Sequence, residues 1–543
     1  MFKKLLCIFL VFTFLICTFA SCSDEEEVTV IYPISTDPTC LDPQIAESSE
    51  AVMITRNCME GIVRLGEDGE ILPGVADSWQ VSPDGRTYAF HIREGAMWQM
   101  LKSHADVLGE DYETAFDYSV TAEDCAFGII RALRPETKAE NAYMLFCIEN
   151  AMSFNAGTVD EQSLGVSASG DTLTITLERS NPDFLRVLTY PMCMPCSRAF
   201  FEATGAKYGL ELKYTLCNGP FYVGNWVEDS TVTIYRSETY KGESKSSVSS
   251  MYFNVNSDDE QIVSKFNKED YNAIPVKDSY ISEIENAGNV VFGKKYNIVS
   301  GLAFNQADAF LANDNIRKAL ISATDMSVLG EEKEYAAGIV PPSCRWGGKS
   351  YRDCAGAAEK PAASSGNAYA CFSEGLKELE ITNINLTILC TQKNRDDIVR
   401  LIQNWQKLFG FSITVTTKVM TQDEIDKSVE KGQYQIALTS FEAEEGSAVK
   451  FLEKFCTGAP ENIFSFSSDS YDMLVQECLY AFEGDRILSG IKSAEQYLIE
   501  NGVFYPLYNG RTCFAYRDDI KTPFAVSCVT DIDFTARVKA DGK

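Results

Sequence analysis

Cys193-Met194-Pro195-Cys196 is the one stretch whose residue types and spacing could do covalent chemistry. A C-x-x-C pair can exchange disulfides, or supply half the ligands of a tetrahedral zinc site. For redox work it should open a helix after a strand. Here it follows Thr189-Tyr190-Pro191, and no second C-x-x-C completes a zinc site. General-base chemistry has little to draw on, because the chain holds only two histidines, His91 and His104. No P-loop, dinucleotide fingerprint or HExxH occurs. The residues speak against an enzyme, and no cofactor or metal is expected. A secreted thiol oxidoreductase using Cys193 and Cys196 is the lesser alternative.

The elements that would position these residues are those of an α/β chain. Thr87–Arg93 alternates apolar and polar residues, the period of a half-buried strand. Glu67-Asp68-Gly69 and Pro83-Asp84-Gly85 are turn signals suited to a left-handed Gly. Met59–Trp98 therefore predicts a meander with an aromatic corner at Trp79. Thr121 predicts an N-cap for a helix over Ala122–Leu133, with Glu123 and Asp124 favourable in its first turn. Val28–Ile34 is β-rich, and Ser48–Cys58 predicts a helix. From Asn385 onward strands and helices alternate: Leu386–Cys390, Asp396–Phe409, Ser412–Thr417, Gln422–Lys431, Tyr434–Thr439. Ser343–Asn367, rich in Gly, Ala and Ser, predicts a loop. The polar run Gln99–Val120 predicts a surface elaboration.

A chain of 543 residues exceeds a single core, so two or three domains are expected. A net charge of −30 argues against nucleic acid as a partner, and against lying on anionic lipid. Lys3 and Lys4 precede the apolar run Leu5–Phe19, the pattern of a secretory signal, shorter than a comfortable membrane span. Ala20-Ser21-Cys22 then looks like a bacterial lipobox, in which Cys22 is lipidated and becomes the mature N-terminus. Phe19 departs from that pattern, which prefers an aliphatic there; a plain cleaved signal with an incidental Cys is the alternative. Fifteen cysteines follow Cys22, an odd number that leaves at least one free thiol or an intermolecular bond. Cys344, Cys354 and Cys371 flank the Gly/Ala/Ser-rich loop and are the disulfide candidates.

Several motifs fall in a recurring order. They are Glu60-Gly61-Ile62, Asp68-Gly69, Pro73-Gly74-Val75-Ala76-Asp77-Ser78-Trp79, Ser82-Pro83-Asp84-Gly85, Phe90-His91-Ile92-Arg93-Glu94-Gly95 and Thr121-Ala122-Glu123-Asp124. Leu41-Asp42-Pro43, Asn218-Gly219-Pro220-Phe221, Gly301–Asn305, Asp314–Asp325 and Ala337–Pro342 join them. This set resembles the extracytoplasmic solute-binding proteins of the peptide/nickel ABC importer family, over Val28 to about Asp518. The resemblance implies a two-lobed α/β periplasmic-binding-protein fold of the larger, peptide-binding type. A signal at 1–21 and a tether at 22–27 would precede three parts. Residues 28–57, 182–274 and 503–543 would form a discontinuous lobe I, 58–181 an inserted subdomain, and 275–502 lobe II. Hinges near 273–276 and 502–506 would let the lobes close on a solute. The implied function is a monomeric, lipid-anchored receptor on the outer face of a bacterial membrane that delivers oligopeptides to an ABC permease. The same fold binding a metal chelate, a sugar or a signalling peptide is the alternative.

Peptide-binding members of that family hold the peptide's α-ammonium with an Asp shortly after an aromatic residue. Phe441-Glu442-Ala443-Glu444, followed by Phe451-Leu452, has the matching spacing. The resemblance thus places Glu444 at the carboxylate position and Phe441 at the aromatic one. A carboxylate between lobes can make a charge-assisted bond to an ammonium. Glu in place of Asp lengthens the arm, and Glu442, Glu444 and Glu445 also read as an acidic loop facing water. The loop with Ser35, Thr36 and Thr39 lies where the family sets backbone groups against ligand, kept extended by Pro38 and Pro43. Arg317 and Asp325 read as structural partners rather than ligands.

Overall fold

The computed structural model describes residues 28–46, 48–66, 70–109, 116–181, 184–243, 246, 248–286, 288–329, 334–346, 349–360, 365–443, 447–480, 484–518, 525–526 and 532–533. The signal, Cys22 and its tether, the turn at 67–69 and Glu444 lie outside the described residues. Strand β1 (Val28–Ile34) leads through a proline-containing loop to helix α1 (Ser49–Cys58). A hairpin of β2 (Val63–Leu65) and β3 (Ile71–Pro73) precedes β4 (Ala76–Val81) and β5 (Thr87–Ile92). Helix α2 (Ala122–Leu133), β6 (Val166–Ser169) and β7 (Thr172–Thr176) follow. Then come β8 (Phe221–Val227), β9 (Thr231–Arg236), β10 (Val248–Val255), β11 (Ala273–Val276), the long β12 (Val290–Phe304) and α3 (Asp314–Ser322). The last third holds β13 (Arg345–Trp346), β14 (Lys349–Ser350), β15 (Ile384–Cys390), α4 (Arg395–Phe409), β16 (Ile413–Val419) and β17 (Ile436–Glu442). Helices α5 (Ala448–Glu453), α6 (Asp469–Tyr480) and α7 (Gly484–Glu500) lead into β18 (Phe504–Arg517).

Three sheets organise these elements. One has the order β1-β10-β9-β8, the second is the antiparallel β4-β5-β7-β6, and the third is β11-β18-β12-β17-β15-β16. The local signals explain why they form. Tyr88, Phe90 and Ile92 of β5 are buried while the residues between them are not, as the alternation predicts. Gly85 has a φ of +70°, and Asp84 Oδ1 accepts from Arg86 N at 3.2 Å, closing the turn that precedes β5. Thr121 and Asp124 cap α2 reciprocally, with Thr121 Oγ1 accepting from Asp124 N at 3.2 Å and Asp124 Oδ2 from Thr121 N at 2.9 Å. Ile398, Leu401, Ile402, Trp405 and Phe409 form one buried face of α4.

Each sheet has its own core. The second core runs from Met59 to Leu216 and includes Phe184, Leu188, Cys193, Cys196, Phe200 and Tyr208. Residues 184–216, expected in lobe I, therefore pack with the inserted unit, because their apolar side chains complete its core. The third sheet's core gathers Val299–Phe304, the helices from α3 to α7, and the first half of β18 as far as Tyr508. Residues 513–516 of β18 instead pair with β11 beside the first core.

The motif residues turn out to be clasps between units. Arg131 Nη1 on α2 donates to Asp42 Oδ1 at 2.8 Å and to Gln44 Oε1 at 2.5 Å, and Nη2 pairs with the second Asp42 oxygen. The same guanidinium lies 4.1 Å over the Phe201 ring. Buried Glu60 pairs with Arg93 and accepts from Tyr240 OH at 2.6 Å, while Asn218 makes two 3.0 Å bonds to the Glu60 backbone. Arg317 is structural too, but its carboxylate partner is Asp314 at 2.5 Å, whereas Asp325 caps its own turn by accepting from Ser327 N at 2.9 Å.

Two segments, the expected loop Ser343–Asn367 and the expected surface elaboration Gln99–Val120, depart from expectation in their described residues. Ser343–Asn367 contains the β13–β14 pair and a short helix over Tyr351–Ala355, locked by Arg352 onto buried Glu495 of α7. In the Gln99–Val120 run, Gln99 and His104 are buried, not superficial. His104 Nδ1 accepts from Leu101 N at 3.2 Å, so Nε2 carries the proton toward Thr215 O, also at 3.2 Å. Burial lowers the His104 pKa from 6.5 to about 4. The unfolded imidazole takes up its proton near 6.5 and the folded one only near 4. Its contribution to stability is therefore complete above pH 6.5 and is lost as the pH falls toward 4. His104→Gln is expected to flatten the fall of the melting temperature between pH 7 and pH 5. Identical slopes in the two proteins would refute a buried neutral His104.

Candidate ligand cleft

Strands β15, β16 and β17 run parallel, with Cys390 opposite Val419 and β17 running on past that level to Glu442. Open α/β sheets bind ligands outside such carboxyl ends. β1 and β10 are also parallel, ending at Ile34 and Val255, with the Ser35–Thr39 loop at that edge. Trp226 Nε1 donates to the Asp37 carboxylate at 3.2 Å and so fixes this loop. Ser35, Thr36 and Thr39 are exposed, and Ser35 Oγ donates to Glu50.

The crossing strands β12 and β18 join the two sides. Their pairing slips between Lys295 and Ile298, and buried Asn297 sits in the irregularity. Asn297 Nδ2 donates to Glu442 Oε1 at 2.8 Å, its Oδ1 accepts from Thr512 N and Oγ1 at 3.2 Å, and its carbonyl accepts from Ala443 N at 2.8 Å. The carboxyl end of β17 is thus tied to the crossover itself. One sheet rung nearby carries three hydroxyls, with Ser300 paired to both Ser440 and Tyr508. Ser300 Oγ and Ser440 Oγ are 2.7 Å apart, and Tyr508 OH donates to Asp397 Oδ2 at 2.9 Å. Sequence reasoning missed this rung, because only register brings the three residues together.

Phe441 is 7% exposed and packs among Phe455, Phe464 and Phe504, with ring centroids 4.9–5.6 Å away. It faces the core beneath the sheet, while its neighbours Ser440 and Glu442 alternate to the other face. Two buried cations of separate units, Arg186 and Lys295, bear on Cys344: burial pushes that thiol up to about 12 while Lys295, Arg352 and Arg186 oppose the rise. A direct contact spans the units, with Lys450 Nζ on α5 donating to Asn141 Oδ1 at 2.9 Å and lying 4.9 Å from the Tyr143 ring.

The C-x-x-C pair lies inside the second core. Cys193 and Cys196 are buried, and burial pushes both thiols up, Cys196 to about 12 and Cys193 further. The attacking species in disulfide exchange is the thiolate, which such burial suppresses. Cys344, Cys354 and Cys371, expected as disulfide candidates, are unbonded, and Cys344 lies within the third core. His91 stands exposed on β5 with Nδ1 2.8 Å from Asp77 Oδ1.

Two α/β lobes joined by paired crossing strands, with an extra sheet inserted in the first, constitute a solute-binding protein fold. The chain belongs to the bacterial extracellular solute-binding proteins of family 5: the pattern described as family 5 Middle matches residues 70–462. It is 27% identical over 489 residues to the dipeptide-binding protein DppE of Bacillus subtilis (strain 168), covering 87% of this chain and 85% of that one. It is 22% identical over 488 residues to the probable deoxycholate-binding periplasmic protein YgiS of Escherichia coli (strain K12), covering 88% and 87%. The structure titled Listeria monocytogenes OppA bound to peptide shares the fold, with a TM-score of 0.64 and 22% identity over 94% of this chain and 98% of that one. Among the described residues no helix is long and apolar enough to cross a membrane.

Proposed function

We propose that the protein is the peptide receptor of an ABC importer, anchored through lipidated Cys22, which captures oligopeptides between closing lobes and hands them to a membrane permease. The observation that carries this reading is similarity, over 87% of this chain, to a protein named as dipeptide-binding. The main-chain edges at the carboxyl ends of β1, β10 and β17 suit a peptide, whose recognition rests largely on backbone hydrogen bonds. Glu444 is the proposed ammonium partner, and Ser35, Thr36 and Thr39 the opposing loop. Phe441 supports the floor from below. The receptor acts as a monomer without catalysis or cofactor and binds no nucleic acid.

In this reading lobe I comprises 28–57, about 217–274 and the end of β18, and the inserted subdomain extends to 216 rather than 181. The bend lies where β12 and β18 pass from one core to the other, near 293–298 and 509–512, rather than at 273–276 and 502–506. A nonpeptide solute is the second reading, favoured by the similarity to a probable deoxycholate-binding protein.

Native mass spectrometry of protein purified without refolding is expected to show co-purifying short peptides. A nonpeptide adduct alone would shift the assignment to the second reading. In the same protein Glu444→Ala is expected to weaken peptide binding more than tenfold, and unchanged affinity would remove Glu444 from the site.

A further inference from the structure

Cys58 is the last residue of α1, and Cys217 stands just ahead of β8. Between them lies the entire inserted unit, whose core begins at Met59 and ends at Leu216. The chain therefore leaves lobe I and returns to it at these two cysteines. Both belong to the first core, at 2% and 3% exposure. Their backbones are in contact through the neighbouring glycine: Gly219 N donates to Cys58 O at 2.9 Å, and a Cβ on Gly219 would meet the Cys58 carbonyl group at 2.7–2.8 Å. The two buried thiols also interact directly with each other. Other buried thiols are turned to different groups, Cys193 to Val187 O at 3.4 Å and Cys196 to Arg131 Nη1 at 3.9 Å.

We propose that Cys58 and Cys217, reduced in this structure, are joined by a disulfide in the exported protein and staple the neck of the inserted unit. The family is extracellular, the setting in which disulfides persist. The oxidant is a disulfide of a protein or small molecule outside the membrane. One cysteine, as thiolate, attacks that disulfide and forms a mixed disulfide, releasing one oxidant thiol. The other then attacks the mixed bond, closing the Cys58–Cys217 bridge and releasing the second oxidant thiol. Two protein thiols become one disulfide, and the oxidant gains the two electrons and two protons. Burial of both sulfurs confines exchange to the time before the neck packs. The bridge closes a loop of about 160 residues, long enough for a large loss of unfolded-chain entropy.

The test is peptide mapping of full-length protein purified from the exported fraction without reductant and alkylated in denaturant. A second sample is reduced, then refolded with oxidised glutathione. The expected result in both is a Cys58–Cys217 linked peptide, lighter by two hydrogens than its reduced pair, with both cysteines alkylated only after reduction. Full alkylation of both cysteines without reduction overturns the proposal, as does linkage of either to another cysteine. The oxidised protein should also melt several degrees above the reduced one, a difference that vanishes in the Cys58→Ser/Cys217→Ser variant. Equal melting temperatures would overturn the staple.

Discussion

Asp42→Ala is expected to cost about 3–5 kcal/mol, because it strands a buried guanidinium. Arg131 is held by two Asp42 oxygens and by Gln44, and it lies between the Phe201 and Tyr208 rings. Gln44 would be loosened too, and with it the bonds from Gln44 Nε2 to Met192 O and Met194 O. The loss should register where the inserted unit meets lobe I. Amide exchange in α2 and around residues 192–196 is the direct readout, alongside the thermal transition assigned to that unit. Replacing both partners by apolar residues should recover part of the loss, since the ion pair pays a desolvation cost of its own. A loss below about 1 kcal/mol in the single variant would show that Asp42 is no buried partner.

Glu495→Ala should be comparably severe, about 3–5 kcal/mol, but in the other lobe. Glu495 accepts from Val340 N at 2.8 Å, Tyr351 OH at 3.2 Å and Arg352 Nη1 at 3.0 Å, and pairs with Nη2. Removing it leaves a buried N–H, a hydroxyl and a cation without their acceptor. Arg352 also donates to Val340 O, so the Ala337–Pro342 segment and the Tyr351–Ala355 helix should loosen together. Exchange protection is expected to fall over both segments while α2 keeps its own. Glu495→Gln should cost less, because the amide oxygen can still accept from Val340 N. The two sites sit in separate cores, so Asp42→Ala and Glu495→Ala should add within about 0.5 kcal/mol. Marked coupling would mean that the lobes unfold as one unit.

The family motifs owe their legibility to short-range physics. Thr121-Ala122-Glu123-Asp124 is a capping box, and Pro83-Asp84-Gly85 is a turn requiring a left-handed Gly. Each is settled within a few residues. Glu60 and Asp42 were visible as motif letters, yet their roles were not, because the partners that define them lie elsewhere in the chain. Asp42 meets Arg131 across 89 positions, and Glu60 meets Tyr240 across 180. The candidate site is the least legible part. Glu444 rests on spacing alone, and Phe441, placed beside it by the same spacing, belongs to the core.

By itself the sequence determined the α/β alternation, the positions of most strands and helices, and the family. Those follow from periodicity, caps and turns, whose interactions span one or two turns of chain. Only the tertiary structure decided that residues 184–216 complete the inserted core, that Gln99–Val120 buries His104, and that Ser343–Asn367 is locked through Arg352 to Glu495. It alone brought Cys58 and Cys217 together at the neck. The reason is physical: a pattern shows that a residue has an apolar or polar face, while the closing of distant sheets decides what covers it.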